Sequence, residues 1–421
     1  MRRANPAESF VFWAITLTWA FYAVGALYIV GPVVAWLLAC LAAISLYLGP
    51  AMRTDLQTAG SLPAIVLLWG GSMFVMLIAL WAGHLGWDLG LVQTIKSSIG
   101  WAKGWALLFL LPFAGAVLPI RRIVLIRAQT IVGFITLILL PILVLAPTLG
   151  LPETIFVSPL KAAGGPGPEY FTVYFYTLDP ASGAPRWQFY APWSPFAGLL
   201  GVVMVCFALE DRDRRWMLAG ILAGLAMIFL SKSRMSLVAL VICTVTPRMI
   251  PLLAKGVAWQ WAAGIAASMA VVGGAVLDFA TNGIAAFKSA RADSTRVRET
   301  LQRIAYERWH TEAVWFGHGT VEPGPHLVEY MPIGSHHTWY GLLFVKGLTG
   351  FFALVVPMAA HSLIIAVDCV CHKRGRLPLS IMLVMLILTF GENIEIEAYL
   401  LWPALLLLGI HAREMVASTA D

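Results

Sequence analysis

Apolar runs long enough to cross a bilayer recur along the whole chain, and they leave few folds open. They fall at about 10–30, 33–50, 63–83, 102–120, 129–148, 195–209, 216–232, 235–253, 257–279, 338–367, 377–391 and 397–412. A helical span needs about 20 mainly apolar residues, and inside lipid the backbone must satisfy its own hydrogen bonds. The pattern predicts an all-α polytopic membrane protein of about twelve transmembrane helices. Composition agrees: of 421 residues, 60% are hydrophobic and 12% charged, against about 25% charged in a soluble domain. A soluble enzyme, a disordered chain and a secreted disulfide framework are excluded. The first run follows MRRANPAESF, exceeds a signal-peptide core and lacks a small-residue cleavage site, so it reads as a retained helix.

Cations set the expected orientation. Arg53, Arg121, Arg122, Arg127, Arg212, Arg214, Arg215, Arg248, Lys255, Lys373, Arg374, Arg376 and Arg413 all fall in alternate short loops, whereas the turns at 31–32 and 392–396 carry none. This is the positive-inside pattern with both termini cytoplasmic. The net charge of +6 therefore reports topology and implies no nucleic-acid partner. The expected organisation is helices over 1–148, an outside loop over 149–194, helices over 195–279, a long, partly helical outside loop over 280–337, and helices over 338–421. Within the first block, 84–101 sets Trp87, Leu91, Ile95 and Ile99 at spacing four, predicting an amphipathic helix on the outer surface. In the Gly/Pro-rich 149–194 loop, YFTVYFY suits a short hairpin strand.

Three outside features carry chemistry. Lys288, Arg291, Arg296, Arg298, Arg303 and Arg308 crowd one stretch, with only Asp293, Glu299 and Glu307 to balance them. On a helix, Lys288, Arg291 and Arg298 share one face and Arg296 and Arg303 another. Lys232 and Arg234 stand in FLSKSRMSLVAL between two apolar runs, where a cation needs an anion or a polar cavity unless it snorkels from a short turn. His336 and His337 stand where a polar loop meets an apolar helix. Imidazole there suits a general base for a lipid-borne substrate, or simply an interfacial position beside Trp339 and Tyr340.

Weaker patterns are weighed beside these. A zinc site from His310, His318 and His326 with Glu312 or Glu322 lacks regular spacing, and Cys369, Cys371 and His372 lack a second ligand cluster. No metal and no cofactor are expected. Glu392, Glu395 and Glu397 read as solvated turn residues, Glu392 least so because it abuts an apolar run; EDRDRR at 210–215 reads as a solvated loop. No phosphate-binding P-loop and no G-x-S-x-G elbow occur.

Three motifs in one order resemble the O-antigen ligase and polymerase superfamily, with its Wzy-type C-terminal region. FLSKSRMSLVALVI is similar to that family's Ser-Arg entry into a helix. ADSTRVRETLQRIAYERWHTEAVWFGHGT is similar to its Ser…Arg…Gly-x-Gly segment, with Gly317 and Gly319 as the glycines. SHHTWYGLLFVKGLTG is similar to its His-Asn, aromatic, Gly-x-x-Gly helix, ending at Gly347 and Gly350. RWQFYAPWSPFAG stands where the family has an Arg before an Asn-Pro-Asn motif; both asparagines are absent and only Arg186 carries over. Alignment on the glycines makes His336 the family histidine, and alignment on Tyr340 makes it His337. The resemblance covers about 230–350.

The resemblance implies a fold like the metal-independent C-type glycosyltransferases, in the bacterial inner membrane, with a periplasmic active site. It implies inverting transfer of a glycan from undecaprenyl pyrophosphate to a sugar of the lipid A core. Lys232, Arg234, Arg291 and Arg298, assisted by Arg296 or Arg303, would hold the pyrophosphate, His337 or His336 would take the acceptor proton, and Arg186 would position donor or glycan. A Wzy-type polymerase and a protein O-oligosaccharyltransferase are alternatives within the superfamily. A lipid-glycan transporter is the alternative from another class.

Overall fold

The computed structural model describes residues 5–48, 62–179, 182–254, 292–335 and 337–420. The expected span at 257–279 lies outside the described residues, and so do Lys288, Arg291 and His336. What is described is mostly helical, with two small two-stranded sheets. Among the described residues, six helices are long and apolar enough to cross a membrane.

The first half holds α1 (Pro6–Thr16), α2 (Thr18–Ala23), α3 (Leu27–Tyr47), α4 (Ala64–Gly86), α5 (Gly90–Lys103), α6 (Leu107–Val117) and α7 (Arg122–Leu145). Their outward faces are apolar: Leu67, Phe74, Ile138 and Ile142 are each more than 40% exposed. Water would not tolerate such a band, and lipid requires it. The protein is therefore embedded in a membrane. The first hairpin turn was expected at 31–32. The chain instead turns at Val24–Ala26, with Gly25 in the left-handed region, and Pro32 lies inside α3. The turn is set by packing, since a Cβ on Gly25 would strike Ser158 and the Phe171 carbonyl.

The second half holds α8 (Ser194–Ala208), α9 (Arg214–Leu230), α10 (Arg234–Ala254), α11 (Ala292–Glu312), α12 (Thr338–Cys371), α13 (Arg376–Thr389), α14 (Ile394–Glu397) and α15 (Trp402–Ala420). Helix α8 is buried along nearly its whole length. It meets α9 where Gly201 and Gly224 each leave no room for a side chain against the other's carbonyl, the close backbone approach that small residues permit between membrane helices. Between α7 and α8 lie β1 (Thr154–Val157), β2 (Thr172–Tyr174), β3 (Thr177–Leu178) and β4 (Pro185–Arg186), pairing β1 with β2 and β3 with β4. YFTVYFY thus forms one strand, β2, which pairs with β1 outside the motif.

Short loops at one end are tied by ion pairs. Arg121 binds Glu8 through Nε and Nη2 at 2.7 and 2.8 Å. Arg127 binds Asp211 in the same two-pronged way. Residues 212–215 are exposed as expected, but Asp211 is buried, so the reading of 210–215 as solvated is corrected at that residue: a bidentate guanidinium compensates the desolvated carboxylate. Arg413 donates to the Gly115 and Ile120 carbonyls, closing the C-terminal end of α6.

Candidate functional site

At the opposite end the long loops converge. Helix α9 stops at Leu230, and Ser231 and Lys232 turn the chain into α10, with Lys232 in the left-handed region at φ 53°. Small hydroxyls make this turn compact: Ser231 Oγ donates to the Ile228 carbonyl and Ser236 Oγ to Ser233 Oγ. Lys232 and Arg234 are both exposed. Of the two readings of these cations, burial at depth is not what the fold does. The turn carries them to the surface, where their charge faces outward.

Arg186 reaches the same place from the β3–β4 hairpin. The Trp187 N–H donates to the Leu230 carbonyl at 3.3 Å, which sets the Arg186 strand against the Lys232 turn. Arg186 itself is 9% exposed.

Helix α11 presents Val297, Leu301 and Ala305 to Phe344, Val328 and Ile333. Spacing of four makes that stripe and leaves Arg296, Arg298 and Arg303 exposed on its flanks. Arg303, Glu299, Gln302 and Tyr306 line a shallow cavity of about 310 Å³ whose far wall is Tyr340. The Tyr340 ring packs on the His337 imidazole, centroids 4.8 Å apart.

Residues 390–397 lace this region together. The His337 N–H donates to Asn393 Oδ1 at 3.1 Å, and Asn393 Nδ2 donates to the Gly334 carbonyl at 3.3 Å. Thr338 Oγ1 donates to the Glu392 carbonyl at 2.7 Å and accepts from the Ile394 N–H at 3.0 Å. These bonds swing Glu392 inward, to 3% exposure. Glu397 is fully buried, its carboxylate accepting from the Tyr170 hydroxyl at 3.3 Å. The reading of both acids as solvated is therefore corrected. Burial pushes the Glu392 carboxyl up to about 7, against the opposing pull of the nearby Arg298 charge and the Trp193 indole. A carboxyl held near neutrality beside an arginine was not singled out from the sequence. Its one signal was position, since Glu392 directly follows an apolar run.

His337 is buried, and burial pushes its imidazole down to about 4. Its Nδ1 accepts the Tyr340 N–H at 3.5 Å, capping α12. A neutral ring that accepts at Nδ1 carries its proton on Nε2, so the free nitrogen is a donor. In this rotamer His337 suits donation to an anionic oxygen. To act as a base it must release the cap. His336, its neighbour in the motif, lies outside the described residues, as does Arg291.

The glycines of the second and third motifs meet. Helix α12 is broken at Gly347, with φ 61° and ψ −162°. The loop bearing Gly317 and Gly319, with φ 66° and 79°, fills the break. His318 and Gly319 N–H groups donate to the Phe344 and Val345 carbonyls, and the Leu348 and Thr349 N–H groups donate to the Val314 and Trp315 carbonyls, all at 2.8–3.1 Å. Backbone groups freed by the break are thus satisfied. Left-handed φ and the lack of space for a Cβ at Gly317 and Gly347 make glycine necessary there.

His318 does not join a zinc site: its Nδ1 meets the Phe344 carbonyl and its Nε2 meets Glu312. The Arg308 guanidinium, hydrogen-bonded to Glu312, holds that carboxyl down to about 2. Among the described residues no group of three or more His, Cys, Asp or Glu is placed to hold a metal.

No family model matches the chain, and no curated protein matches its sequence.

Proposed function

We propose that the protein is a glycosyltransferase of the O-antigen ligase type, moving a glycan from undecaprenyl pyrophosphate to a sugar of the lipid A core. In this reading it crosses the bacterial inner membrane twelve times, with both termini in the cytoplasm and the site on the periplasmic side. The observation that carries the reading is the gathering, at one end of a membrane protein, of three motifs far apart in sequence. The Lys232 turn lies against the Arg186 strand, Arg298 stands by Glu392, and Arg303 shares a cavity with Tyr340, which packs on His337. Arginine-rich short loops at the other end support the orientation.

The chemistry follows from the residues. Departure of a lipid pyrophosphate develops negative charge that cations stabilise, and guanidinium groups bind phosphate oxygens in bidentate fashion. Lys232, Arg234, Arg298 and Arg303 are exposed to do so, with Arg296 on α11 and Arg291 next to that helix in sequence. Glu392 is a positioning residue, fixing Arg298 from below. His337 donates through Nε2 to the leaving oxygen while capped, and His336 takes the acceptor proton. Arg186 positions the glycan from beneath the turn.

The test is reconstitution in detergent with carrier-linked glycan, lipid A-core and a chelator. Glycan on lipid A-core is the expected product. Longer carrier-linked glycan would replace the ligase reading with a polymerase. No product on either acceptor, with an active control enzyme alongside, would remove the ligase and polymerase readings and leave a protein acceptor or transport. Alanine at both His336 and His337 is expected to reduce transfer by about 100-fold or more.

A further inference from the structure

A second cavity, of about 640 Å³, opens on the other side of the Thr338–Asn393 lacing. Lys346 of α12 and Glu395 line it, and α5 forms part of its rim with Lys96 and Gln93. Lys346 is 5% exposed, yet among the described residues it makes no hydrogen bond and no ion pair. Glu395 Oε2 is also buried without a partner. The two charges act on each other across the cavity without touching. An ammonium group buried at this depth needs an anion within reach, and Glu395, which makes no ion pair with it, leaves its donors unmatched.

The walls say what kind of anion fits. Trp101, Trp105 and Leu342 are apolar, and the volume lies within the range of organic-ligand pockets, far above one inorganic phosphate. Helix α5 buries none of its residues in the protein, and Leu91, Ile95 and Ile99 on its apolar side are 49–75% exposed. Such a helix lies in the membrane interface, so the cavity mouth opens at the level of lipid head groups.

We propose that this cavity binds a phosphate-bearing amphiphile with a hydroxylated head group, its phosphate on Lys346 and a hydroxyl donating to Glu395. Neither charged group belongs to the set assigned to glycan transfer, and the proposal stands without that assignment. A lysine serves here because a compact ammonium offers three donors to phosphate oxygens that approach from one side.

Full-length protein in detergent would be titrated with phosphatidylglycerol and read by native mass spectrometry and by thermal denaturation. Phosphatidylcholine and free glycerol 3-phosphate serve as the comparison ligands. Phosphatidylglycerol is expected to raise the melting temperature and to bind about tenfold more tightly than phosphatidylcholine. Lys346→Met should lose about tenfold in that affinity. Unchanged phosphatidylglycerol affinity in Lys346→Met would overturn the site. Glycerol 3-phosphate binding as tightly as the lipid would overturn the amphiphile assignment. Should Lys346→Met not fold, Glu395→Gln and the exposed Lys96→Ala are expected to weaken phosphatidylglycerol several-fold; full affinity in both would overturn the proposal.

Discussion

Glu392 sits where one residue's protonation is a property of the fold. Its carboxyl titrates near 7 in the folded protein and near 4.5 when unfolded. The native state therefore holds a proton that the unfolded chain has released, and the associated stability is full below pH 4.5 and is lost as pH rises through 7. Glu392→Gln should flatten that decline in melting temperature between pH 4.5 and 7. An unchanged slope would mean that the carboxyl is solvated. His337 runs the other way: folded near 4, unfolded near 6.5, it contributes stability above pH 6.5 that is lost as pH falls through 4. His337→Ala should flatten this acid-side loss and lower stability by about 1 kcal/mol at neutral pH through the missing cap. The cationic members of the site were legible in the sequence because arginines crowding a polar stretch are unusual outside. Glu392 was not, because its burial is assembled from Thr338, Trp193 and Arg298, which no local pattern brings together.

At the scale of elements, hydrophobic runs translate almost directly into helices, since in lipid a segment has no other way to satisfy its backbone. Helices α4, α7, α8, α9, α10 and α12 lie within a few residues of the expected runs, apart from α7, which starts at Arg122 ahead of its run. Boundaries moved where tertiary contacts compete with local signals. Gly31-Pro32 looked like a turn, but proline is tolerated within membrane helices, and the loop packing at Gly25 decided the matter. The amphipathic segment begins at Gly90 rather than 84, because 84–86 complete α4. The break in α12 is the element-scale feature that the glycine spacing of the third motif announced without explaining. Gly347→Ala would drive a Cβ into the Trp315 backbone and force a strained φ. A loss of about 2 kcal/mol or more is expected, with new protease sensitivity over 313–320. Retention of wild-type melting and protease resistance would mean that the break is not held as described.

For the molecule as a whole, charge is divided by job: at the short-loop end the buried carboxylates Glu8 and Asp211 are held by arginines, and at the other Lys232, Arg298 and Arg303 are exposed. That division makes orientation testable with a native residue. Cys371 is exposed at the short-loop end, and Cys206, Cys243 and Cys369 are buried. In a Cys40→Ser background, a membrane-impermeant maleimide should leave Cys371 unlabelled in intact spheroplasts and label it after permeabilisation. Lys232→Cys, in a chain with Cys371 also replaced by Ser, should label without permeabilisation. The reverse pattern would invert the topology and remove the site from the periplasm.

The splice at Gly347 has a mechanical side. The segment from Thr338 to Lys346 is sewn through the Phe344 and Val345 carbonyls to the 314–319 loop, which also holds Leu348 and Thr349 just beyond the break. Gly347 is thus the joint between a short arm that packs on α11 and a long arm that packs against α4. Both cavities draw on that short arm, one on Tyr340 and the other on Lys346, so a single rigid segment borders them both.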